Sequence, residues 1–239
     1  MRPKFHSHED LTDSDIVQRC ADSQREVVGT TGNVVKISDD VVVKFGWNVT
    51  EEEASNQTRA FELLDQRIVR VPKVHRYFKI FGTDQGWPPD TGYIVMEYIE
   101  GKVFGEDEAP NSEQVKRIAQ VLEYFSIFAS QRPGPLEEGA SRGLMWEKNG
   151  KPIFKTVQQL EKWLNYRLPD VEDKLHLAQY PLVLCHLDLA PRNFVWLADG
   201  SLCLLDWASA GRWKRSQRCK AITNLMSQGF ILVSSKSVC

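Results

Sequence analysis

The residues most able to do chemistry lie in one short stretch, 183–211, which reads VLCHLDLAPRNFVWLADGSLCLLDWASAG. His186, Asp188 and Asn193 occur at fixed spacing in its first half, and Asp206 follows the apolar run LCLL in its second half. Polar groups of this kind destabilise an apolar core unless they have partners. Each residue alone would fit a turn or a strand end, but their joint spacing indicates a site.

A β-hairpin is predicted within this stretch, because Asp199 and Gly200 separate two apolar runs and favour a two-residue type I′ turn. In the register of such a turn, Asn193 lies opposite Asp206. Directly opposed residues have β-carbons about 4.5–5.5 Å apart. Proteins hold Mg²⁺ by one or two oxygen ligands, with phosphate and water completing the shell. We therefore predict that Asn193 and Asp206 are metal ligands.

Asp188 lies in the loop that leads into this hairpin. A free carboxylate beside a metal–phosphate complex can act as the general base that activates a hydroxyl group. His186 is expected to orient the same loop through hydrogen bonds. Asp188, His186 and Asn193 are thus the predicted catalytic residues.

A metal–phosphate site also calls for a cation beside the phosphate, and the strand VVVKFG offers Lys44. Thr50 and the carboxylates after it are typical of a helix start. Steps of three and four residues from Glu53 follow the apolar stripe of that helix, so Glu53 should face the sheet and meet Lys44. The alternative is a lysine on the solvent face of a strand.

The motif HLDLAPRN, followed by LLDW, resembles the aminoglycoside phosphotransferase/choline kinase family, which is related to the eukaryotic protein kinases. The resemblance covers roughly residues 25 to 211. It implies that the first motif is a catalytic loop and that Asp206 belongs to a metal-binding Asp-Trp pair. The proline before Arg192, and the lack of a lysine two residues after Asp188, favour the branch that acts on small molecules.

The resemblance further implies ATP or GTP as phosphate donor, Mg²⁺ as cofactor and a small-molecule hydroxyl compound as acceptor. The strand YIVM resembles the family's hinge, where backbone groups of Glu97, Tyr98 and Ile99 would bind the base. An ordinary edge strand is the alternative there. The turn GTTGN contains Thr31 and Gly32, whose backbone amides could touch phosphate oxygens.

The fold class predicted from this pattern is α+β, with two lobes and a protein-kinase-like arrangement. Strand-like runs at 26–28, 34–37, 41–45, 74–81 and 93–99 predict a five-stranded antiparallel sheet with one helix after its third strand. The second lobe is expected to be mainly helical and to carry the catalytic hairpin. Its helix candidates are 112–130, 157–168 and 171–180.

The predicted domains are an N-terminal arm or short helix at 1–24, a nucleotide-binding lobe at 25–99 and a catalytic lobe at 100–239, of which 212–239 is a divergent tail. The net charge of −2 gives no general attraction to nucleic acid or to an anionic membrane. Five scattered cysteines and a start without an apolar core favour a cytoplasmic protein. No run is long enough to cross a membrane, and the oligomeric state is not indicated.

Three functions remain open at this point: a small-molecule kinase, a protein-kinase-like enzyme, and a nucleotide-binding pseudokinase or truncated product without turnover. No Asp-Phe-Gly or Ala-Pro-Glu segment follows Asp206, which argues against a protein kinase. Ala208 and Ser209 stand where the family usually has an acidic residue, and the tail 212–239 lacks its usual pattern. The tail favours the pseudokinase, whereas the complete set of base and metal residues favours the enzyme.

Overall fold

Five antiparallel strands form the first lobe, and one helix is inserted after the third of them. The strands are β1 (Glu26–Val27), β2 (Val34–Lys36), β3 (Val41–Gly46), β4 (Val74–Ile80) and β5 (Thr91–Glu97), in the spatial order β1-β2-β3-β5-β4. The computed structural model describes residues 8–29, 31–82, 89–104, 108, 110–137, 139–142, 152–167, 174–178 and 180–214. The predicted sheet with its one helix is confirmed.

The two faces of this sheet have different partners because its side chains alternate. Val41 and Val43 point to one face, where they pack with Ile16 and Cys20 of helix α1 (Asp13–Ala21). Thr12 caps α1 through a reciprocal pair of hydrogen bonds with Asp15. The arm that precedes the sheet therefore includes a helix packed on one face of it, whereas Ile94 points to the opposite face.

Helix α2 (Glu51–Leu63) begins at Thr50, whose hydroxyl accepts a hydrogen bond from the backbone N–H of Glu53. Three glutamates occupy its first turn, where the positive end of the helix dipole favours them. Its Ala54 packs on Ile94 of the sheet, while its Ala60 belongs to the core of the second lobe. Helix α2 thus contacts both lobes.

The described part of the second lobe contains two α-helices and two three-stranded sheets. The helices are α3 (Ser112–Phe125) and α4 (Val157–Tyr166), and the strands are β6 (Lys102–Val103), β7 (Gly134–Pro135), β8 (Leu182–Cys185), β9 (Phe194–Trp196), β10 (Leu202–Leu204) and β11 (Gly211–Lys214). The sheets have the orders β10-β9-β6 and β7-β11-β8. Phe125 of α3 and Trp207 are completely buried in the largest core, so the hairpin β9–β10 rests on a packed base.

The second lobe differs from the sequence prediction at several boundaries. Helix α3 ends at Phe125, whereas the prediction extended it to residue 130. No helix forms at 174–178 or at residue 180, so the predicted helix 171–180 is wrong there; its other residues lie outside the described ones. The first residues of the predicted tail pair with the core, because β11 is hydrogen-bonded to β8 over its whole length. Residues 215–239 lie outside the described part of the chain.

Candidate active site

The hairpin that was predicted to be catalytic forms, but its register differs by one residue from the predicted one. Leu204 pairs with Phe194, and the backbone N–H of Leu205 donates to the carbonyl of Asn193 at 2.9 Å. The turn is longer than two residues, since Leu197 N bonds to the carbonyl of Ser201. The prediction that Asn193 lies opposite Asp206 in the ladder is therefore wrong.

A backbone bend directs Asp206 back toward the site after this shift. Asp206 has φ 62° and ψ 70°, in the left-handed region that residues other than glycine seldom adopt. Such a conformation costs about 1–3 kcal/mol and persists only where the surroundings impose it. The ladder ends at Leu205. Because of the bend at the next residue, the direction of the Asp206 side chain does not follow the alternation of the strand.

His186 connects the predicted catalytic loop to the segment that carries Asp206. Its imidazole is buried, and its Nε2 lies 3.0 Å from the carbonyl oxygen of Leu205. Its Nδ1 lies 3.4 Å from the backbone N–H of Asp188. These partners require a proton on Nε2 and a free Nδ1. His186 therefore contacts backbone groups of both segments.

The pKa of His186 is lowered from its ordinary value, chiefly because burial disfavours the charged imidazolium. The carboxylates of Asp188 and Asp206 act in the opposite direction but do not outweigh burial. The ring is therefore neutral at physiological pH, in agreement with its single donor and single acceptor role.

The carboxylate of Asp188 is held by one of its two oxygens. Asn193 Nδ2 donates to Asp188 Oδ2 at 3.0 Å and to the Asp188 carbonyl at 2.9 Å, and Arg192 donates to Oδ2 at 2.8 Å. Among the described residues, Asp188 Oδ1 has no hydrogen-bond donor. This oxygen is available to a hydroxyl group of a bound molecule.

The same contacts fix the amide orientation of Asn193, which is 4% exposed. Because its nitrogen faces Asp188, its oxygen Oδ1 is left without a hydrogen bond in the described part of the chain. An amide oxygen and a carboxylate, as Asn193 and Asp206 offer, are ligand types that Mg²⁺ takes. The residues present thus fit the metal that the sequence predicts.

Lys44 on β3 lies between two carboxylates. Its Nζ is 2.5 Å from Glu53 Oε1 and 3.2 Å from Asp206 Oδ2. The predicted meeting of Lys44 and Glu53 is present, and Asp206 extends it to the second lobe. One ammonium group thus joins the sheet, helix α2 and the segment after β10.

Burial and the mutual attraction of Lys44, Glu53 and Asp206 shift the pKa values of these three residues. Burial alone would lower the pKa of Lys44, but the carboxylates of Glu53 and Asp206 outweigh it and raise the pKa. Burial raises the pKa of Glu53, and Lys44 offsets this only in part. Burial would also raise the pKa of Asp206, but Lys44 lowers it below its ordinary value. Asp206 is therefore ionised at neutral pH and able to bind a cation.

The predicted hinge, Glu97 to Ile99, offers fewer backbone donors than its three residues suggest. The N–H of Glu97 donates to the carbonyl of Lys73 at 2.9 Å, and that of Tyr98 donates to Asp40 at 2.7 Å. Among the described residues, the N–H of Ile99 has no acceptor. Of the three predicted residues, Ile99 is therefore the one whose amide can donate to a base.

The glycine-containing turn lies at the Lys44 end of the sheet. Val34 pairs with Lys44, and the N–H of Phe45 donates to the carbonyl of Asn33 at 2.9 Å, directly after Thr31 and Gly32. Gly32 has φ +73°, a conformation that favours glycine. The Thr31 hydroxyl donates to the side chain of Asn33. Thr31 and Gly32 are thus on the strand pair that carries the candidate phosphate-binding lysine.

Two contacts that link the lobes were not predicted. Arg70 forms backbone hydrogen bonds with Leu202 and Leu204 of the hairpin, and its guanidinium lies 2.5 Å from Glu97 in the hinge. Asn56 of α2 is buried and bonds to backbone groups of the second lobe. The only sequence signal was an amide on the apolar side of a helix, which does not reveal its partners.

Comparison with known families decides the classification. A model described as "Phosphotransferase enzyme family" matches residues 23–212. The chain belongs to the phosphotransferase enzyme family. The match includes every predicted site residue of this chain, from Thr31 to Asp206. No curated protein sequence matches the chain significantly.

Several solved structures are similar to this chain. The choline kinase LicA from Streptococcus pneumoniae is 18% identical, with 89% of this chain and 77% of that chain covered and a TM-score of 0.42. A thermostable mutant of aminoglycoside phosphotransferase APH(4)-Ia, in a ternary complex with AMP-PNP and hygromycin B, is 12% identical, with 85% and 72% covered and a TM-score of 0.49. Monomeric WbdD is 12% identical, with 86% and 39% covered and a TM-score of 0.43. The chain thus spans 39% of the length of WbdD, and the family assignment rests on the sequence match.

In the described ranges, no helix is long and apolar enough to cross a bilayer. The same residues contain no cluster of three or more His, Cys, Asp or Glu side chains that could hold a metal ion. A divalent ion at Asn193 and Asp206 would therefore need phosphate oxygens and water as its remaining ligands.

Proposed function

We propose that this protein is a kinase that transfers the γ-phosphate of ATP, or of GTP, to a hydroxyl group of a small molecule. The observation that carries the proposal is the ion pair of Lys44 with Asp206, next to the loop in which Asn193 holds Asp188. A cation for the phosphates, two oxygen ligands for a metal and a carboxylate base are the parts that phosphoryl transfer requires.

The nucleotide would bind between the lobes. The N–H of Ile99 would donate to the base, and Lys44, supported by Glu53, would bind phosphate oxygens. Backbone amides near Thr31 and Gly32 would contact the phosphates from the sheet side. Asn193 Oδ1 and Asp206 would hold Mg²⁺, which, when bound, neutralises charge on the phosphates.

The acceptor hydroxyl would bind at Asp188 Oδ1, the oxygen left free by Arg192 and Asn193. As the hydroxyl oxygen attacks the γ-phosphorus, its proton passes to Asp188. The bond from the γ-phosphorus to the bridging oxygen breaks, and the nucleoside diphosphate leaves with that electron pair. His186 remains neutral and keeps the two loops in register throughout.

A labelled-phosphate screen tests this function. The protein is incubated with Mg²⁺ and ATP labelled at the γ-phosphate, together with pools of aminoglycosides, amino alcohols, sugars and nucleosides, and products are separated by mass. We expect a phosphorylated acceptor that Asp188→Asn does not form. Nucleotide binding without transfer to any acceptor or to water would contradict the proposal and favour a pseudokinase.

A further inference from the structure

Asn56 uses its whole amide to bind backbone groups of the second lobe. Its Nδ2 donates to the carbonyl of Trp207 at 3.3 Å and to that of Ala210 at 3.1 Å. Its Oδ1 accepts from the N–H of Leu136 at 2.9 Å. The residue is 2% exposed, so water does not substitute for these partners. All three partners are distant from Asn56 in the sequence.

These contacts lie next to the ion pairs of the site. Asn56 follows Glu53 by three residues on α2, which places both side chains on neighbouring positions of one helix face. Trp207 directly follows Asp206 in the chain and begins the short 3-10 helix Trp207–Ser209. Glu53 and Asp206 are therefore connected twice, once through Lys44 and once through Asn56.

An apolar residue would be the simpler choice for a buried position between a helix and a core. A buried amide is tolerated only when its groups are paired, because an unpaired buried donor or acceptor destabilises the folded state. The carbonyls of Trp207 and Ala210 belong to a turn that begins with the left-handed Asp206. The two hydrogen bonds that the amide of Asn56 donates hold that strained turn in place.

We propose that Asn56 is a positioning residue for the metal site: it fixes the backbone that carries Asp206 to the helix that carries Glu53. The inference rests on the proposed function, since it assumes that Asp206 binds the metal of a metal–nucleotide complex. With Asn56 in place, Asp206 stays near Lys44 before any nucleotide binds.

The test compares Asn56→Asp with Gln57→Glu. Asn56→Asp keeps the shape of the side chain and the oxygen that accepts from the N–H of Leu136. It replaces the NH₂ group by an oxygen, which faces the carbonyls of Trp207 and Ala210 and cannot donate to them. Gln57 is an equally buried amide on the same helix that donates to the carbonyl of Pro72 at 2.8 Å, in the first lobe. Its variant is the matched control for placing a buried carboxylate on α2.

The readout is the affinity for AMP-PNP, measured by calorimetry with and without Mg²⁺. Mg²⁺ should increase the affinity of the wild type for AMP-PNP. In Asn56→Asp we expect this Mg²⁺-dependent increase in affinity to be smaller by about tenfold or more, whereas the affinity without Mg²⁺ should change by about twofold or less. In Gln57→Glu the two affinities should change in parallel. An unaltered Mg²⁺-dependent gain in Asn56→Asp would overturn the inference. Absence of that gain in the wild type would instead overturn the proposed function.

A measurement on the wild type covers the case in which the variants do not fold. The amide of Leu136 reports directly on the hydrogen bond to Asn56, so its hydrogen exchange is followed by mass spectrometry or NMR. We expect exchange at Leu136 to slow by about threefold or more when AMP-PNP binds with Mg²⁺, and not when it binds alone. Equal exchange in both complexes would overturn the inference.

Discussion

Lys44 on the sheet and Asp206 after the hairpin form an ion pair of 3.2 Å between the two lobes. Glu53 holds the same ammonium group at 2.5 Å from the other side. The side chain of Asp206 is 34% exposed, whereas that of Glu53 is 4% exposed. A nucleotide phosphate can therefore reach Lys44 on the Asp206 side, while Glu53 keeps the lysine in position.

Removing Lys44 should lower the stability because Glu53 loses its partner, and it should lower the nucleotide affinity because the phosphates lose a cation. Lys44→Met leaves Glu53 buried without its cation, and breaking a buried pair in this way costs about 3–5 kcal/mol. The double variant Lys44→Met/Glu53→Leu should recover most of that stability, because no buried charge remains. Its affinity for Mg²⁺–nucleotide should stay about 10-fold to 100-fold below wild type. Urea unfolding and calorimetry measure the two quantities; recovery of both in the double variant would contradict a phosphate-binding role for Lys44.

Asp188→Asn tests the base. The substitution keeps the size of the side chain but removes the ability to take a proton, so phosphoryl transfer should fall by about 10²–10⁴-fold. Nucleotide affinity should change by about twofold or less, because Asp188 is not among the predicted nucleotide ligands. Asp199→Asn, an exposed aspartate in the hairpin turn, is the control. A loss of less than tenfold with folding intact would remove Asp188 from this role.

The contact of Arg192 with Asp188 should matter for the orientation of the Asp188 carboxylate but not for the stability of the fold. Its side chain is 63% exposed and lies 2.8 Å from Asp188 Oδ2. An exposed pair contributes about 0–1 kcal/mol, so Arg192→Ala should hardly change the free energy of unfolding. The transfer rate should still fall by about tenfold, because Asp188 loses one of the two donors that orient its carboxylate. Arg67→Ala breaks a pair of the same length with Asp65 and should leave the rate unchanged. Equal rates in both variants would contradict the orienting role.

His186 predicts a pH dependence of stability. Because burial lowers the pKa of His186, the unfolded chain takes up a proton near about pH 6.5 while the folded chain does not. The free energy of unfolding should therefore decrease as the pH falls below about 6.5, by up to about 1.4 kcal/mol per pH unit from this residue. His186→Gln keeps an N–H donor and cannot titrate, so its profile should be flatter. Denaturant unfolding between about pH 7.5 and about pH 5.5 measures both; parallel profiles would refute the prediction.

The sequence predicted the parts of the fold that local patterns determine. Alternation in VVVKFG identified the face on which Lys44 lies, and helical spacing brought Glu53 toward it. Both inferences use only periodicity and short-range geometry. The five-stranded sheet with its helix followed from the same signals, because each strand is bounded by turn residues.

The details that were not predicted depend on tertiary contacts. The turn after Leu197 is one residue longer than Asp199 and Gly200 suggested, which shifts the hairpin register. The left-handed bend at Asp206 then restores the direction of its side chain, an outcome that no strand pattern encodes. Asn56 was missed because its partners are backbone groups far away in the sequence, which carry no side-chain signature. Arg70 was missed because its partners in the hairpin and at Glu97 are also distant in the sequence.

Binding of a metal–nucleotide complex between the lobes is the claim on which the account depends. The most direct measurement is a titration of the purified chain with AMP-PNP, with and without Mg²⁺, followed by its melting temperature, with Asp206→Ala measured alongside. We predict a rise that requires Mg²⁺ in the wild type and is absent in Asp206→Ala. No rise in a well-folded wild type, or an equal rise in the variant, would contradict it.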